Sequence, residues 1–462
     1  MTTEQRLLSA GDAVGRRSLS PNEELWCALD RGDDFSVFGS RKIVPAGWRL
    51  HGPLDIPTLQ LALNDVVARH EVLRTIIIRD KDDPHARIYP PSPAALTVVD
   101  LAPAAVEADR EHRAHEFLNE VDDGSRCDPA RLPLLQATLG RFGDDDAVLV
   151  LITHHAVSDG WSMHLIMRDV AVCYAKRRGL PAPELPEVRQ YGEYASWQQQ
   201  ARHDESAAIA REYWQAKLAG GRFLTLPTDR TRQLEVPPVY SVYRFLFDQQ
   251  LVSATTSLAK SVNSSPFMVL YACFNLFLHR RTGTTDIVAP IFTSGRTEPE
   301  FQQTVGPFFN LLPIRTDLAG CVTFADLVNR TRATLLEAYS HELPFSEIAA
   351  RADPELMQQS LVDTNGAATG FEIFQYPREL EAKLIGDVRY TGLRRRLISS
   401  SDTSEILDGN LWDFDLDPAG DMVGAVKFNG LHFDQSTIIG MIDEFRELLR
   451  ASLRSPDSAL LR

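Results

Sequence analysis

Apolar residues recur along the chain in two alternating patterns, one with the period of a helix and one with that of a strand. Residues 55–70 show the helical pattern, and Asp55 stands where it can cap the first turn. Residues 147–155, AVLVLITHH, are rich in β-branched side chains and predict a buried strand. Residues 158–179 return to helical spacing and end at Gly179. This alternation predicts a fold of the mixed α/β class.

A proline-rich, charged stretch, GLPAPELPEVRQ at residues 179–190, separates two halves with similar alternation. Beyond it, residues 264–283 form a strongly apolar helical pattern, and residues 286–292 predict a strand. The length of 462 residues exceeds the size at which a single hydrophobic core usually splits. We therefore expect two domains, residues 1–180 and residues 181–462.

The composition restricts the classes of function that the chain can serve. Its formal net charge of −15 disfavours binding to nucleic acid or to an anionic membrane surface, since both attract cationic side chains. No apolar run approaches the ~20 residues that a membrane-spanning helix needs. The N-terminus is polar and the cysteines are scattered, so we expect a cytoplasmic protein with reduced thiols. The basic cluster Arg394–Arg396 predicts a solvated surface strand or, as the alternative, a docking patch for an acidic partner.

Residues 151–163, LITHHAVSDGWSM, carry the clearest candidate chemistry. Adjacent side chains of a strand point to opposite faces, so we expect one of His154 and His155 to face the core and the other a cavity. A metal site would need both imidazoles and a third ligand, and no HExxH pattern supplies one. Two histidines satisfied in a core are a second alternative. The third alternative makes one imidazole a general base near neutral pH. It would take the proton of an amine or hydroxyl that attacks an acyl carbon.

Asp159 and Gly160 follow the histidines at the start of the next predicted helix. The Asp159 carboxylate could orient the base, as the third member of a catalytic relay does, or form a salt bridge that shapes the turn. Candidate partners for that salt bridge are Arg69, Arg74 and Arg296, and spacing alone does not choose among them. Backbone N–H groups at the helix start could stabilise an oxyanion. Since the sequence holds no GxSxG nucleophile motif, we expect direct attack without a covalent enzyme intermediate.

The histidine motif resembles the HHxxxDG motif of condensation domains from nonribosomal peptide synthetases, within the chloramphenicol acetyltransferase-like superfamily. Further elements are similar to family elements and lie in the family's order: RHEVLRT (69–75), YGEYASW (191–197), LPTDRTR (226–232), VGPFFNLLPIR (305–315) and HELPFSEI (341–348). Departures from the family pattern in SPNEELW, PFFNLL and PFSEI indicate altered substrate walls or partner contacts, because the histidine motif itself is whole.

The resemblance implies a fold of two chloramphenicol acetyltransferase-like lobes, arranged as a V-shaped pseudodimer with a central tunnel. It implies that His155 is the catalytic imidazole, and that Asp159 pairs with Arg69 or Arg296. The supporting or structural residues that it implies are His154, Asp159, Gly160, Arg69 and Arg296, and the substrate-pocket residues are Trp161, Trp197 and Asn310.

The resemblance also implies a reaction. An acyl or aminoacyl group would pass from the phosphopantetheine thioester of a separate carrier protein to an amine or hydroxyl of a small-molecule or carrier-bound acceptor, forming an amide or ester. The chain itself would bind no cofactor and no metal. Because its length leaves no room for adenylation and carrier domains, the chain is either a free-standing condensation enzyme or one domain excised from a synthetase, and the Met-initiated N-terminus and short tail favour the free-standing form. The resemblance implies a place in an antibiotic pathway. The alternatives are an acyltransferase of the same superfamily that uses acyl-CoA or a polyketide, and a binding-only scaffold with a dead site.

Overall fold

The structure, a computed structural model, describes residues 12–34, 36–101, 106–232, 236, 238–351, 356, 362–374, 380–394, 409–417 and 420–460. Contacts divide the chain into two compact units. The first unit takes its described residues from Met1–Ala201, Ser294–Phe309 and Tyr376–Arg395, and the second unit from Arg202–Thr293, Asn310–Gln375 and Arg396–Arg462.

The contacts group residues 181–201 with the first unit, whereas the sequence places the boundary at residue 180. The proline-rich stretch is a loop within that unit, because the helix after it buries Tyr191 and Tyr194 in the first unit's core. Residues 294–309 also return to the first unit from the second half of the chain. The predicted domains 1–180 and 181–462 stay a prediction.

Helices occur throughout both units. In chain order, those of the described residues are α1 (Pro21–Leu29), α2 (Ile56–Arg69), α3 (Glu107–Gly124), α4 (Gly160–Arg177), α5 (Tyr191–Ala201), α6 (Glu205–Leu218), α7 (Gln249–Ser261), α8 (Pro266–Thr282), α9 (Phe324–Ser340), α10 (Phe345–Arg351) and α11 (Gln435–Arg454). Local sequence sets several of their ends. The Asp55 carboxylate accepts the Thr58 N–H at the start of α2, and Thr323 forms a reciprocal capping box with Asp326 at the start of α9.

The strands complete the mixed α/β fold that the sequence predicts. In chain order, the described strands are β1 (Gly15–Arg17), β2 (Ile43–His51), β3 (Thr75–Ile78), β4 (His85–Ile88), β5 (Ala95–Asp100), β6 (Leu135–Arg141), β7 (Asp146–His154), β8 (Thr225–Pro227), β9 (Tyr240–Phe247), β10 (Asp286–Thr293), β11 (Asn310–Asp317), β12 (Gly366–Phe374), β13 (Lys383–Ile385), β14 (Val388–Leu393), β15 (Gly409–Leu416) and β16 (Met422–Asn429). A 3-10 turn at Glu71–Arg74 precedes β3, so the ladder of this strand begins only at Thr75.

The first unit contains a six-stranded sheet and a small three-stranded one among its described residues. The order of the larger sheet is β13-β14-β2-β7-β6-β5, with β5 parallel to β6 and the other neighbours antiparallel. The smaller sheet is antiparallel, in the order β1-β4-β3. β7 lies between β2 and β6 and is buried along its whole length, which explains its near-continuous apolar sequence.

The second unit is built on a seven-stranded sheet, counted over the described strands. Its order is β11-β10-β12-β15-β16-β9, and β8 pairs with β12 beside this path. β12 is parallel to both β10 and β15. α8 packs into this unit's core with every residue from Met268 to Leu278 buried, as its apolar sequence predicts.

The apolar helices bear on whether the chain could cross a membrane. Over the described residues, no single helix combines the length and hydropathy needed to cross a bilayer. α7 and α8 satisfy the criterion only when taken together, with a bend of 102° between them.

The basic cluster at Arg394–Arg396 lies mostly outside the described residues; Arg394 itself follows the end of β14.

Candidate active site

The histidine motif forms the connection between β7 and α4. β7 ends at His154, the chain turns through residues 155–159, and α4 begins at Gly160. Asp159 is the N-cap of α4, and its carboxylate accepts the N–H of Ser162 at 2.7 Å. A hydrogen bond between the hydroxyls of Thr153 and Ser158 closes the turn. The Thr153–Ser158 hydrogen bond therefore joins the turn to the end of β7, and the Asp159 cap joins it to the start of α4.

His154 is fully buried, and both of its ring nitrogens have partners. Nδ1 accepts the Ala156 N–H at 3.0 Å, so the proton is on Nε2, which donates to the Gly39 carbonyl oxygen at 3.0 Å. Burial lowers the pKa of His154 to about 3. His154 is thus neutral near pH 7. Both of its ring nitrogens form hydrogen bonds with backbone groups, as expected for a structural residue.

His155 lies just past the end of the strand and has a different environment. Its Nδ1 is 3.0 Å from the carbonyl oxygen of Ser158. A carbonyl oxygen only accepts, so Nδ1 carries the proton of the neutral ring and the lone pair is on Nε2. His155 is only partly buried. The two imidazoles therefore occupy different environments, and His155 has the tautomer of a base that would act through Nε2.

Aromatic rings pack around His155. The Phe309 ring meets the imidazole edge-on at 4.6 Å between centroids, and the Trp26 ring does so at 6.3 Å. Trp26 also packs against Phe309 at 5.3 Å and against Phe38 at 6.4 Å. These residues and Ala156 belong to a small apolar cluster separate from the main core of the first unit. This aromatic wall orients the imidazole and limits its contact with water.

Sequence reasoning did not identify Trp26 and Phe38 as site residues. The available signal was weak: Trp26 ends the SPNEELW element, and Phe309 lies in the PFFNLL element, both of which depart from the family pattern. In the structure the SPNEELW and PFFNLL elements are in contact. The Asn22 side chain donates to the Phe309 carbonyl oxygen at 3.0 Å, which ties the two elements together beside His155.

Asp159 forms a buried ion pair with Arg296. Nη2 of Arg296 lies 3.2 Å and 3.3 Å from the two carboxylate oxygens, and the side chains of Arg296 and Asp159 are 1% and 9% exposed. The Asp159 carboxylate also accepts the Phe308 N–H at 3.1 Å. Burial lowers the pKa of Arg296, and the Asp159 carboxylate opposes that shift.

Further contacts fix the Arg296 guanidinium. Nη1 donates to the carbonyl oxygens of Phe301 at 3.1 Å and Thr304 at 2.7 Å, and Nη2 donates to the Ser162 hydroxyl at 2.9 Å. The guanidinium also lies over the Phe308 ring, 3.9 Å from its centroid. Arg296 thus joins the start of α4 to the segment 294–309.

The other two candidate arginines have different partners. Nε of Arg69 is 2.8 Å from the buried carboxylate of Asp169, and Nη1 of Arg74 donates to the Tyr89 carbonyl oxygen at 2.6 Å. Among the alternatives for Asp159, the contacts favour the salt bridge over the catalytic relay. Its carboxylate is committed to Arg296 and to two backbone N–H groups, while Nδ1 of His155 bonds to a carbonyl oxygen.

The remaining predicted site residues lie in supporting positions. Gly160 is the first residue of α4, and the N–H two residues later is already bound by Asp159, so that donor is not available to an oxyanion. Trp161 donates from Nε1 to the Gln302 carbonyl oxygen at 3.1 Å, and Trp197 stacks on Tyr194 at 5.7 Å. Asn310 belongs to the second unit.

A cavity of about 440 Å³ opens in the first unit beside this turn. Its apolar lining includes Phe38 of the aromatic wall and Ala156 and Val157, which directly follow His155, together with Ile76, Ile77 and Leu134. Its charged lining consists of Asp30, Asp33, Asp34, Asp128 and Arg79. Arg79 pairs with Asp30 and lies over the Phe38 ring, 4.9 Å from its centroid. A space of this size accommodates a small organic group.

Metal chemistry has no evident location in the part of the chain that the structure describes. No group of three or more His, Cys, Asp or Glu side chains is placed there to bind an ion. The cysteines are free thiols, and burial raises the pKa of Cys27 and Cys173 to about 11.

The structure thus defines a protein of two mixed α/β units, with the imidazole of His155 at a turn between a strand and a helix. The model of the family described as Condensation domain matches residues 38–461. The chain therefore belongs to the condensation domain family, whose members occur in nonribosomal peptide synthesis and act with carrier-protein partners.

Curated relatives are large synthetases. The chain is 32% identical over 434 residues to a probable non-canonical nonribosomal peptide synthetase, CymA, of Salinispora arenicola, an alignment that covers 90% of this chain and 5% of that protein. It is also 32% identical over 418 residues to a linear gramicidin synthase of Brevibacillus parabrevis, covering 89% of this chain and 5% of that protein. The chain thus spans about 5% of the length of these relatives.

A solved structure of similar length also resembles this chain. The SgcC5 protein of Streptomyces globisporus superposes with a TM-score of 0.91 at 39% identity, covering 96% of this chain and 100% of that one. That structure is a complex with (R)-(-)-1-(2-naphthyl)-1,2-ethanediol and sucrose.

Proposed function

We propose that the chain is a condensation enzyme of natural-product biosynthesis. It transfers an acyl or aminoacyl group from the phosphopantetheine thioester of a carrier protein to an amine or hydroxyl acceptor. The observation that carries this proposal is the hydrogen bond from Nδ1 of His155 to the Ser158 carbonyl oxygen, because the ring form that acts as a base then has its lone pair on Nε2. The family relationship supplies the reaction class.

In the proposed reaction, His155 Nε2 accepts the proton of the acceptor N–H or O–H as that atom attacks the thioester carbonyl. The tetrahedral intermediate collapses with cleavage of the carbon–sulfur bond, and the departing pantetheine thiolate takes the proton from His155. The products are the amide or ester and the free carrier thiol. Edge-on packing of Phe309 holds the imidazole ring for this transfer.

We place part of one substrate in the cavity beside the turn. His155 is not among its lining residues, but Ala156 and Val157, which follow His155 in the chain, are, and so is Phe38 of the aromatic wall. Its mixed lining suits a substrate with an apolar body and polar substituents. The aryl diol bound by the similar SgcC5 protein is a substrate-sized molecule of this kind, and it belongs among the first acceptors to test.

The test is intact-protein mass spectrometry of acylated carrier proteins incubated with the full chain. The acceptors are a pool of amines and alcohols that includes 1-(2-naphthyl)-1,2-ethanediol, and acyl-CoA donors are assayed in parallel. We expect unloading of the carrier with formation of an amide or ester, and loss of this turnover by at least about 100-fold in His155→Ala.

The control variant is Glu120→Ala, which removes an exposed carboxylate of α3 and should leave turnover unchanged. A fully active His155→Ala variant would overturn the mechanism. Turnover with acyl-CoA alone would instead assign the chain to the acyltransferases that use small-molecule donors.

A further inference from the structure

The segment 294–309 carries several side chains of the candidate active site, yet it is an excursion from the second unit. β10 and β11 are antiparallel neighbours, and their register ends with Thr293 opposite Asn310. Between these two residues the chain belongs to the first unit. The excursion supplies Arg296 to Asp159 and Phe309 to His155.

One carboxylate oxygen holds both ends of this excursion. Oε1 of Glu342 accepts the Thr293 hydroxyl at 2.7 Å and the Asn310 side-chain amide at 3.0 Å. The first contact is to the last residue before the excursion, and the second is to the first residue after it. Burial raises the pKa of Glu342, while both hydrogen bonds oppose that shift.

Asn310 is itself restrained on more than one side. Its amide nitrogen also donates to the Leu343 carbonyl oxygen at 2.8 Å, and its oxygen accepts the Phe345 N–H at 3.0 Å. One peptide bond joins Asn310 to Phe309, whose ring packs on the imidazole of His155.

We infer that Glu342 is a positioning residue for the reaction: by binding Thr293 and Asn310 it fixes the two ends of the segment 294–309 and so holds Phe309 against His155. This inference rests on the proposed function only for its kinetic consequence, because the packing of Phe309 on His155 is measurable without turnover. Glu342 acts through Asn310 and Phe309.

The test uses the full chain and two substitutions of the same residue. Glu342→Ala removes the shared acceptor, whereas Glu342→Gln keeps a side-chain oxygen that can accept both hydrogen bonds. The first readout is the rate at which diethyl pyrocarbonate modifies His155, followed by peptide mass mapping, with the exposed His112 as the internal reference. The second readout is kcat and KM of the condensation assay.

We expect Glu342→Ala to raise the modification rate of His155 relative to His112 and to lower kcat, each by about tenfold, which is equivalent to about 1.4 kcal/mol. KM for the acylated carrier should stay within about twofold, and Glu342→Gln should match the wild type in both readouts. The matched control is Glu337→Ala, because Glu337 is an exposed carboxylate of α9 that pairs with Lys217. It should leave both readouts unchanged.

Thr293→Val keeps the inference testable if Glu342→Ala does not fold. This variant preserves side-chain shape, removes one of the two donors and should raise the His155 modification rate by a smaller factor. Unchanged modification in a folded Glu342→Ala variant, or in Thr293→Val where Glu342→Ala does not fold, would overturn the inference, as would a Glu342→Gln variant as defective as Glu342→Ala. Failure of every donor to react with the wild-type chain would refute the proposed function alone, since the modification readout would still decide the role of Glu342.

Discussion

The ion pair between Asp159 and Arg296 allows a quantitative prediction, because Asp159→Ala removes one charge and leaves the other buried. Four contacts of the carboxylate disappear together: two to Arg296, one to the Ser162 N–H and one to the Phe308 N–H. The methyl side chain that replaces it can accept none of them. The expected effect is loss of stability in the first unit.

The size of the loss follows from the burial of the pair. Breaking a buried pair by removing one partner costs about 3–5 kcal/mol, and losing an N-cap costs about 0.5–2 kcal/mol. These effects overlap and do not add in full. Arg296 retains hydrogen bonds to Phe301, Thr304 and Ser162, which favours the lower end of the range. We therefore expect Asp159→Ala to lower the free energy of unfolding of the first unit by about 3 kcal/mol.

The assay is urea denaturation of the full chain followed by tryptophan fluorescence, with scanning calorimetry to separate the transitions of the two units. A loss of about 3 kcal/mol corresponds to a Tm decrease on the order of 10 °C for a unit of this size. The double variant Asp159→Ala/Arg296→Met should be less destabilised than the sum of the two single variants, because no buried charge remains. The control is Glu120→Ala, since its pair with Arg113 is exposed and should contribute less than about 1 kcal/mol.

Two results would refute this reasoning. If Asp159→Ala were no more destabilising than Glu120→Ala, the buried pair would not be a structural element of the first unit. If Asp159→Ala unfolded like the wild type but formed no product, Asp159 would have a direct role in catalysis, as in the relay alternative.

Two further predictions concern His154 and the cavity. The native pKa of His154, about 3, lies below the usual value of 6.5, so the unfolded chain binds an extra proton between these values and stability falls as the pH decreases through that window. His154→Gln should flatten this dependence by up to about 1.4 kcal/mol per pH unit in urea midpoints measured from pH 7 to pH 4, and parallel curves would contradict it. Ala130→Phe should fill part of the cavity and raise KM for one substrate by at least about tenfold. The control is Ala130→Ser. Unchanged KM values for both donor and acceptor would exclude the cavity as a substrate site.

Features that depend on neighbouring residues could be predicted from the sequence. The cap of α2 by Asp55 and the end of α4 before Gly179 both follow from local hydrogen-bonding chemistry, and the structure confirms them. Strand alternation predicts different environments for His154 and His155, and the structure shows one fully buried and the other partly buried just beyond the strand. The mixed α/β class could also be predicted, because it follows from the alternation of helical and strand patterns along the chain.

Features that depend on the tertiary path of the chain could not be predicted. Asp159 and Arg296 are far apart in sequence, and only the excursion at residues 294–309 brings them together. Arg69 was an equal candidate until the structure placed it on Asp169. A sequence pattern indicates that a buried carboxylate needs a cation, but the choice among arginines is made by packing.

The two histidines of the motif are both oriented by backbone oxygens, and this bears on how the site would work. A carboxylate at Nδ1 would stabilise the imidazolium strongly, as in a catalytic triad, whereas the Ser158 carbonyl oxygen of this chain does so with a partial charge only. The nearby carboxylate of Asp159 is committed to Arg296. Attack on a thioester needs less help from a strong base than attack on an amide, because the thiolate is a good leaving group. A site built in this way therefore depends on the position of His155 more than on its basicity, which makes the contacts of Phe309 and Glu342 the sensitive points of the mechanism.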